Sequence, residues 1–305
     1  MITAVELGLI YAIMALGVYL TFRILDFPDL TVDGSFTTGA ATASICIVNG
    51  VNPWLATLLA FIAGMAAGAI TGLLHTKGKI DGLLAGILTM IALYSINLRI
   101  MGKANTPLLG EKTLISPLRE AGLLGTWASV AIFFAVALLF VALIVWFLHT
   151  ETGMAMRATG DNEEMIRSFG VGTDNQKILG LSLSNGLVAL AGALIAQYQG
   201  FADVGMGIGL ILIGLASVIV GQAIFTQRWI WLAALAVVFG AVIYRLVIQL
   251  ALSVGFEVND MKLISAVLVV IALLLPKFKG FQKLVKRFKA PAKPVAQKEQ
   301  EHANA

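Results

Sequence analysis

Apolar residues in this chain come in long runs, without the alternation of a strand or the one-sided stripe of a surface helix. The runs lie at about 1–22, 34–49, 53–74, 80–101, 127–149, 176–199, 207–226, 229–252 and 260–276. Wound as a helix rising about 1.5 Å per residue, some 20 apolar residues match the hydrocarbon thickness of a bilayer. The pattern predicts an all-α, polytopic integral membrane helix bundle of eight to ten spans, nine by this count, the second of them short. Residues 1–276 then form one membrane domain containing a long polar segment at 150–176. Residues 277–305 form a basic tail, disordered in part, that ends the chain.

Composition supports this picture and removes its competitors. Hydrophobic residues make up 59% of the 305 and charged residues 12%, whereas a soluble domain carries about 25% charge and a disordered chain is poor in apolar residues. The first 22 residues lack the basic start and small-residue cleavage site of a secretory signal, so they read as a retained span. Counting residues 23–33, 75–79, 150–177, 226–228 and the tail on one side collects 15 of the 21 Lys and Arg. Positive charge marks the cytoplasmic face, which predicts an N-terminus outside and a C-terminus in the cytoplasm. Eight of those cations crowd into the tail beside the last span, a placement that suits anionic membrane lipid and not nucleic acid.

Two stretches depart from plain membrane packing. Residues 26–39, Asp-Phe-Pro-Asp-Leu-Thr-Val-Asp-Gly-Ser-Phe-Thr-Thr-Gly, place three carboxylates, a proline and several hydroxyls in an apolar region. Irregular polar backbone at membrane depth persists only when buried in protein or lining a cavity. The stretch is therefore either a broken helix on a translocation path or a cytoplasmic loop leading into a Ser/Thr-rich span. It contributes Asp29, Thr31, Asp33 and Ser35 as path candidates. Asp33 also suits the N-cap of a helix beginning near Gly34.

The second stretch runs from Glu151 to Gly172. Asp161 followed by Glu164 resembles a capping box and Gly170 supplies a stop, so a helix of about eight residues is expected between them, with Met165, Ile166 and Phe169 on one side. Such a helix needs a cover, either a groove on a partner or the membrane surface, and Asp161, Glu163 and Glu164 suit anionic lipid poorly.

Polar residues within spans usually face a bundle interior or a cavity. Here they include Asn97, Arg99, Asn185, Gln197, Gln222, Arg245 and Gln249. Arg245 reads either as a snorkelling or ion-paired structural residue or as a group near a solute path; Asn185 reads as an interhelical hydrogen bond or a ligand contact. Gly64, Gly68 and Gly72 recur every four residues, the spacing of close helix packing. Gly205, Gly207, Gly209 and Gly214 are either packing glycines or a kinked start to the seventh span. Cys46 is the single cysteine, and it has no metal-ligand spacing around it. No Gly-x-x-x-x-Gly-Lys-Ser/Thr loop, His-Glu-x-x-His or Gly-x-Ser-x-Gly occurs, so neither a phosphate cradle nor an enzyme centre can be assigned.

One set of residues carries a family resemblance. Gly153, Arg157-Ala158-Thr159-Gly160, Asn162, Gly170-Val171, Lys177, Ser182, Ser184-Asn185-Gly186-Leu187 and Ala191-Gly192-Ala193 resemble the pattern of permease subunits of ATP-binding-cassette importers of the branched-chain amino acid and ribose type. Asp29-Leu30-Thr31-Val32-Asp33-Gly34-Ser35 is similar to that family's Asp-Leu-Ser-Val-Gly-Ser, with Asp33 extra before the glycine. Within the family the chain looks most like a group linked to aromatic amino acids such as tryptophan. The resemblance implies a permease in the bacterial cytoplasmic membrane that carries a small organic solute, an amino acid, without being an enzyme or holding a cofactor of its own.

It further implies a second permease subunit, as a homodimer, separate ATP-binding subunits that hydrolyse the ATP, and an extracytoplasmic solute-binding protein. The coupling helix docking on the ATPase would involve Arg157, Gly160, Asp161, Asn162, Glu163, Glu164, Phe169 and Gly170. Path candidates are then Asp29, Thr31, Asp33, Ser35, Asn97, Asn185 and Arg245. The residues alone leave a rival, an ion-gradient-driven secondary transporter with Asp29 or Asp33 titrating; such folds pair two interrupted helices, and only one interruption is evident in the sequence.

Overall fold

The computed structural model describes residues 1–225, 229–255 and 261–274. The expected basic tail and the basic turn at 226–228 lie outside the described residues. The chain runs α1 (Ile2–Tyr19), a π-helical turn (Leu20–Ile24), α2 (Thr31–Val48), α3 (Pro53–Thr76), α4 (Gly82–Met101), β1 (Asn105–Pro107), α5 (Ser116–Glu120) and α6 (Trp127–Leu148). It continues through α7 (Glu151–Asp161), α8 (Glu163–Ser168), α9 (Thr173–Gln199), β2 (Phe201–Asp203), α10 (Leu210–Ile224), α11 (Ile230–Ser253) and α12 (Met261–Leu274).

Every predicted apolar run overlaps a helix, but they are not equivalent. Six helical segments among the described residues are long and apolar enough to cross a membrane: Ile2–Ile24, α3, α4, α6, α9 and α11. The expected eight to ten spans thus become six long apolar helices plus α2, α10 and α12. In α2 most residues are buried within the protein, so its Thr, Ser and Gly content meets protein and not lipid. Helix α10, of 15 residues, is shorter than the about 20 residues a full crossing needs, and α12 is described over Met261–Leu274.

Local signals set several boundaries. Asn52 Oδ1 accepts from Trp54 N–H with Pro53 at the first helical position, and Asp81 accepts from Leu83 and Leu84 N–H. Gly102 and Gly200, both left-handed, close α4 and α9. The loop after α4 holds the single turn α5. It also provides β1, which pairs antiparallel with β2 in the register Asn105↔Asp203, Thr106↔Ala202 and Pro107↔Phe201.

Helix α9 is the central post, packing most extensively on α3 and α2 and then on α1. The four-residue glycine repeat of α3 faces it: a side chain at Gly64 would strike Asn185 and Ala189, at Gly68 Leu181, and at Gly72 Ile178. Gly39 of α2 lies on the backbone of Ala189, and Gly192 of α9 on that of Phe36. With little hydrophobic drive between helices in lipid, such contacts replace it with close van der Waals packing.

One carboxylate ties the ribbon end together. Glu6 of α1 is fully buried and accepts from Gly125 N–H at 2.8 Å, from Tyr198 Oη at 2.6 Å and from Ser129 Oγ. It joins the start of α1 to the start of α6 and the end of α9, which is the structural reason for the lone acid in the first span.

Valine at Gly39 must displace α9 backbone and is expected to cost about 1–3 kcal/mol. Alanine at Gly50, where φ is +80° and no atom lies within 4 Å, meets backbone strain alone and should cost about 1 kcal/mol. Thermal unfolding of the two variants in matched detergent, with Gly50→Ala the less affected, checks that assignment.

Candidate functional site

The chain leaves helical conformation between Ile24 and Thr31, with Leu25, Phe27 and Asp29 buried and Asp26 and Pro28 exposed between them. Asp26 takes a positive φ of 51° at the bend. Buried irregular backbone needs partners from its own chain, and Asp29 is the hub that supplies them. Its Oδ1 accepts from Thr31 N–H at 2.9 Å, and its Oδ2 accepts from Asn185 Nδ2 at 2.6 Å, near the middle of α9. Thr31 Oγ1 in turn lies 2.8 Å from Thr71 Oγ1 of α3. Asp29, Thr31 and Asn185, proposed separately from the sequence, therefore form one buried network.

Asp33 does something the sequence did not indicate. Helix α2 already begins at Thr31 after Leu30, without a side-chain cap, so Asp33 is not its N-cap. Its carboxylate crosses to α10, accepting from Gly209 N–H at 2.7 Å and Ile211 N–H at 2.8 Å. Helix α10 starts within the bundle, and its first N–H groups have no helical partner. Asp33 satisfies two of them and places a negative charge at the positive end of the helix dipole. The glycine series is what permits this approach: Gly207 lies against the Asp33 carbonyl and the Thr37 hydroxyl, and Gly209 adopts φ +85° immediately before α10. The chain thus carries a second interruption, at 204–209, which agrees with the kinked start that the glycine series allowed for the seventh span.

Beside Asp33 lies a cavity of about 400 Å³ between α2, α4 and the approach to α10. Met90, Ile91 and Tyr94 make its walls largely apolar, while Asp33, Thr37, Ser95 and Asn97 bring polar groups. Asn97 donates Nδ2–H to Gly34 C=O at 3.3 Å, and its buried Oδ1 has no partner. Of the predicted path residues, Asp33 and Asn97 reach this cavity. Asp29, Thr31 and Asn185 form the adjoining network, Ser35 Oγ is buried without a partner, and Arg245 lines a different cavity. Tyr94 and Ser95 were missed, because an aromatic and a lone serine on an apolar run carry no distinguishing spacing.

At the opposite end of α9 the 150–172 segment forms two helices where one was expected. Helix α7 runs through Asp161, and Asn162 breaks the chain with φ −159°. Asn162 is the N-cap of α8, accepting from Met165 N–H at 2.9 Å, so the capping role expected of Asp161 belongs to its neighbour. Asp161 instead ends α7 and, with Arg157, Tyr19, Arg23 and Gln222, lines a cavity of about 240 Å³. Gly160 lies on the backbone of Ile24 and Leu25, and Gly170, with φ +84°, ends the α8 turn.

The neighbouring acids Glu163 and Glu164 play different parts. Glu163 accepts from Lys177 Nζ at 2.7 Å, from Arg167 at 2.9 Å and from Thr173 Oγ1 at 3.1 Å, bracing α8 against the start of α9. The Lys177 hydrogen bond holds the Glu163 carboxyl below the ordinary carboxylate range. Glu164 is exposed without such bonds, next to the exposed apolar side chains of Met165 and Phe169. Phe169 is 73% exposed, an uncovered aromatic at the tip of a braced helix.

The family model for the branched-chain amino acid transport system permease component matches residues 1–274. The chain belongs to this permease family. A tyrosine transport system permease protein of Clostridioides difficile (strain R20291) is 44% identical over 269 residues, covering 88% of each chain. The ribose import permease protein RbsC of Escherichia coli (strain K12) is 30% identical over 215 residues, 69% of this chain and 65% of that one. Among solved structures, PsaBC from Streptococcus pneumoniae in complex with Fab shares the fold, with TM-score 0.50, 15% identity and coverage of 89% and 88%. The permease is accordingly a multi-pass protein of the plasma membrane and a membrane subunit of an ABC-type transporter, with ATP hydrolysis on separate chains.

Two outcomes follow from this geometry. Asp33→Ala should loosen the α10 start by about 1–2 kcal/mol, seen as faster hydrogen exchange confined to residues 209–214; unchanged exchange there would remove the cap. Because the Glu163 pKa is depressed, its bracing is fully present above the unfolded value and is lost as pH falls through the folded one. Permease thermal stability should therefore drop below about pH 4, with Glu163→Gln already low at neutral pH and showing a smaller further fall.

Proposed function

We propose that the permease works as a homodimer, with its N-terminus outside and its C-terminus in the cytoplasm, importing an aromatic amino acid such as tyrosine across the bacterial cytoplasmic membrane. ATP-binding subunits would engage the α7–α8 elbow, and an extracytoplasmic binding protein would deliver solute at the ribbon end. The observation that carries this reading is α8 itself: braced from below through Glu163 and Lys177 while Phe169 and Met165 stand uncovered, it offers a rigid helix to a partner groove.

The solute class draws on the 44% identical tyrosine permease and on the cavity beside Asp33, where Tyr94 and Met90 provide apolar contact and Ser95 and Asn97 hydrogen bonds. Helix α4 exposes Ile91, Tyr94 and Ser95; exposed hydroxyls on a membrane helix suit a shared path between two copies better than lipid. Gly160, seated on the bend after α1, gives the elbow a direct contact with the interrupted segment. The paired interruptions at 25–30 and 204–209 also fit a gradient-driven carrier, so the same assay must separate the two.

Vesicles holding the permease, its ATP-binding subunits and the binding protein should take up L-tyrosine with ATP and not with an imposed proton or sodium gradient. Phe169→Ala with Glu164→Lys should reduce ATP-driven uptake about tenfold or more, the effect of removing one interfacial anchor, and leave the thermal stability of the permease unchanged. Uptake driven by the ion gradient without ATP would favour the carrier reading instead.

A further inference from the structure

A third cavity, of about 340 Å³, lies in the ribbon half of the bundle between α1, α9, α10, α11 and α12. Its wall contains Tyr11, Gln199, Tyr244, Arg245 and Ser265, and it opens beside the exposed Gln199. The volume falls within the range of small-ligand sites. Arg245 is the unusual member. Its guanidinium lies over the Tyr11 ring, 3.9 Å from the centroid, and its Nε is buried without a hydrogen-bond partner.

An arginine cannot shed its charge at any ordinary pH, so a guanidinium in a membrane segment requires an anion, a carbonyl or water. Snorkelling would carry it away from the ring to the interface; here it is folded back onto buried Tyr11. Among the described residues no carboxylate pairs with it. Among the described residues, Glu6 of α1 is committed to Gly125, Ser129 and Tyr198, and Asp33 of α2 to the start of α10. Tyr11 holds the guanidinium over its ring face, and an arginine fork held in this way can take a planar oxyanion in bidentate fashion.

We propose that Arg245, held by Tyr11, forms an oxyanion-binding subsite distinct from the cavity beside Asp33, taking the carboxylate of a small solute or the phosphate of an anionic lipid headgroup. The solute form rests on the proposed amino-acid transport; the lipid form does not. Gln199 and Tyr244 line the same space and set its polar rim.

Phenylglyoxal footprinting of the permease with its ATP-binding subunits tests this, read as the Arg245 adduct by mass spectrometry with Arg99 as internal reference. In phosphatidylcholine nanodiscs, L-tyrosine at roughly ten times its dissociation constant should slow the Arg245 adduct about tenfold, whereas tyramine, which lacks the carboxylate, should not. Protection by phosphatidylglycerol in the nanodisc, with or without tyrosine, would assign the lipid phosphate as the oxyanion. If vesicles fail to transport tyrosine yet phosphatidylglycerol protects Arg245, the solute reading falls and the subsite stands. Equal modification under all conditions overturns the subsite, and so does an Arg245 that the reagent never reaches in phosphatidylcholine, since a cavity closed to it is closed to an oxyanion. Arg245→Gln, which removes the adduct, confirms the peptide assignment.

Discussion

A peptide group inside a hydrocarbon layer has no water with which to replace a lost hydrogen bond, so each departure from helix must be satisfied by the protein itself. The segments at 25–30 and 204–209 break helical structure, and buried carboxylates tie them to neighbouring helices. Asp29 closes the first break by joining Thr31 to Asn185. Asp33, one turn further along α2, closes the second by capping α10. Two acids four residues apart thus connect α2, α9 and α10 at the depth where helices are interrupted.

The interruptions could not be shielded if the helices stood at ordinary distances. Glycine and alanine on α2, α3 and α9 bring backbones into contact at Gly39, Gly64, Gly68 and Gly192. The most buried of the span helices are the first and α9, while α4 and α6 are the least. Polar chemistry follows the same gradient, concentrating on α2 and α9 and leaving α6 almost purely apolar.

The polar elbow is tied to this interior by two short links. Glu163 binds Lys177 at the foot of α9, the same helix whose Asn185 holds Asp29. Gly160 rests on the backbone of Ile24 and Leu25, at the entrance to the first break. Close-packed contacts of this type do not deform smoothly, and Gly160 sets α7 directly against the start of the interrupted segment. The cavity beside Asp33 sits where the 204–209 segment meets α2 and α4.

Hydropathy was enough to determine a membrane helix bundle, the approximate position of its long helices and the polar segments at 26–39 and 151–172, because burying polar groups in lipid costs too much for the sequence to hide them. The glycine repeat of α3 and the Gly170 stop were legible for the same reason: only glycine allows that approach or that backbone angle. What each polar residue does was decided by the tertiary structure. Asp33 looked like a local cap and serves a helix some 175 residues away; Asn162 took the cap expected of Asp161; and Glu163 separated from Glu164 because only one faces Lys177. Tyr94 and Tyr11 gained their significance solely from what stands opposite them. Local spacing reports which groups must be satisfied, but the partner that satisfies them is chosen by packing between distant segments, which no stretch of sequence contains.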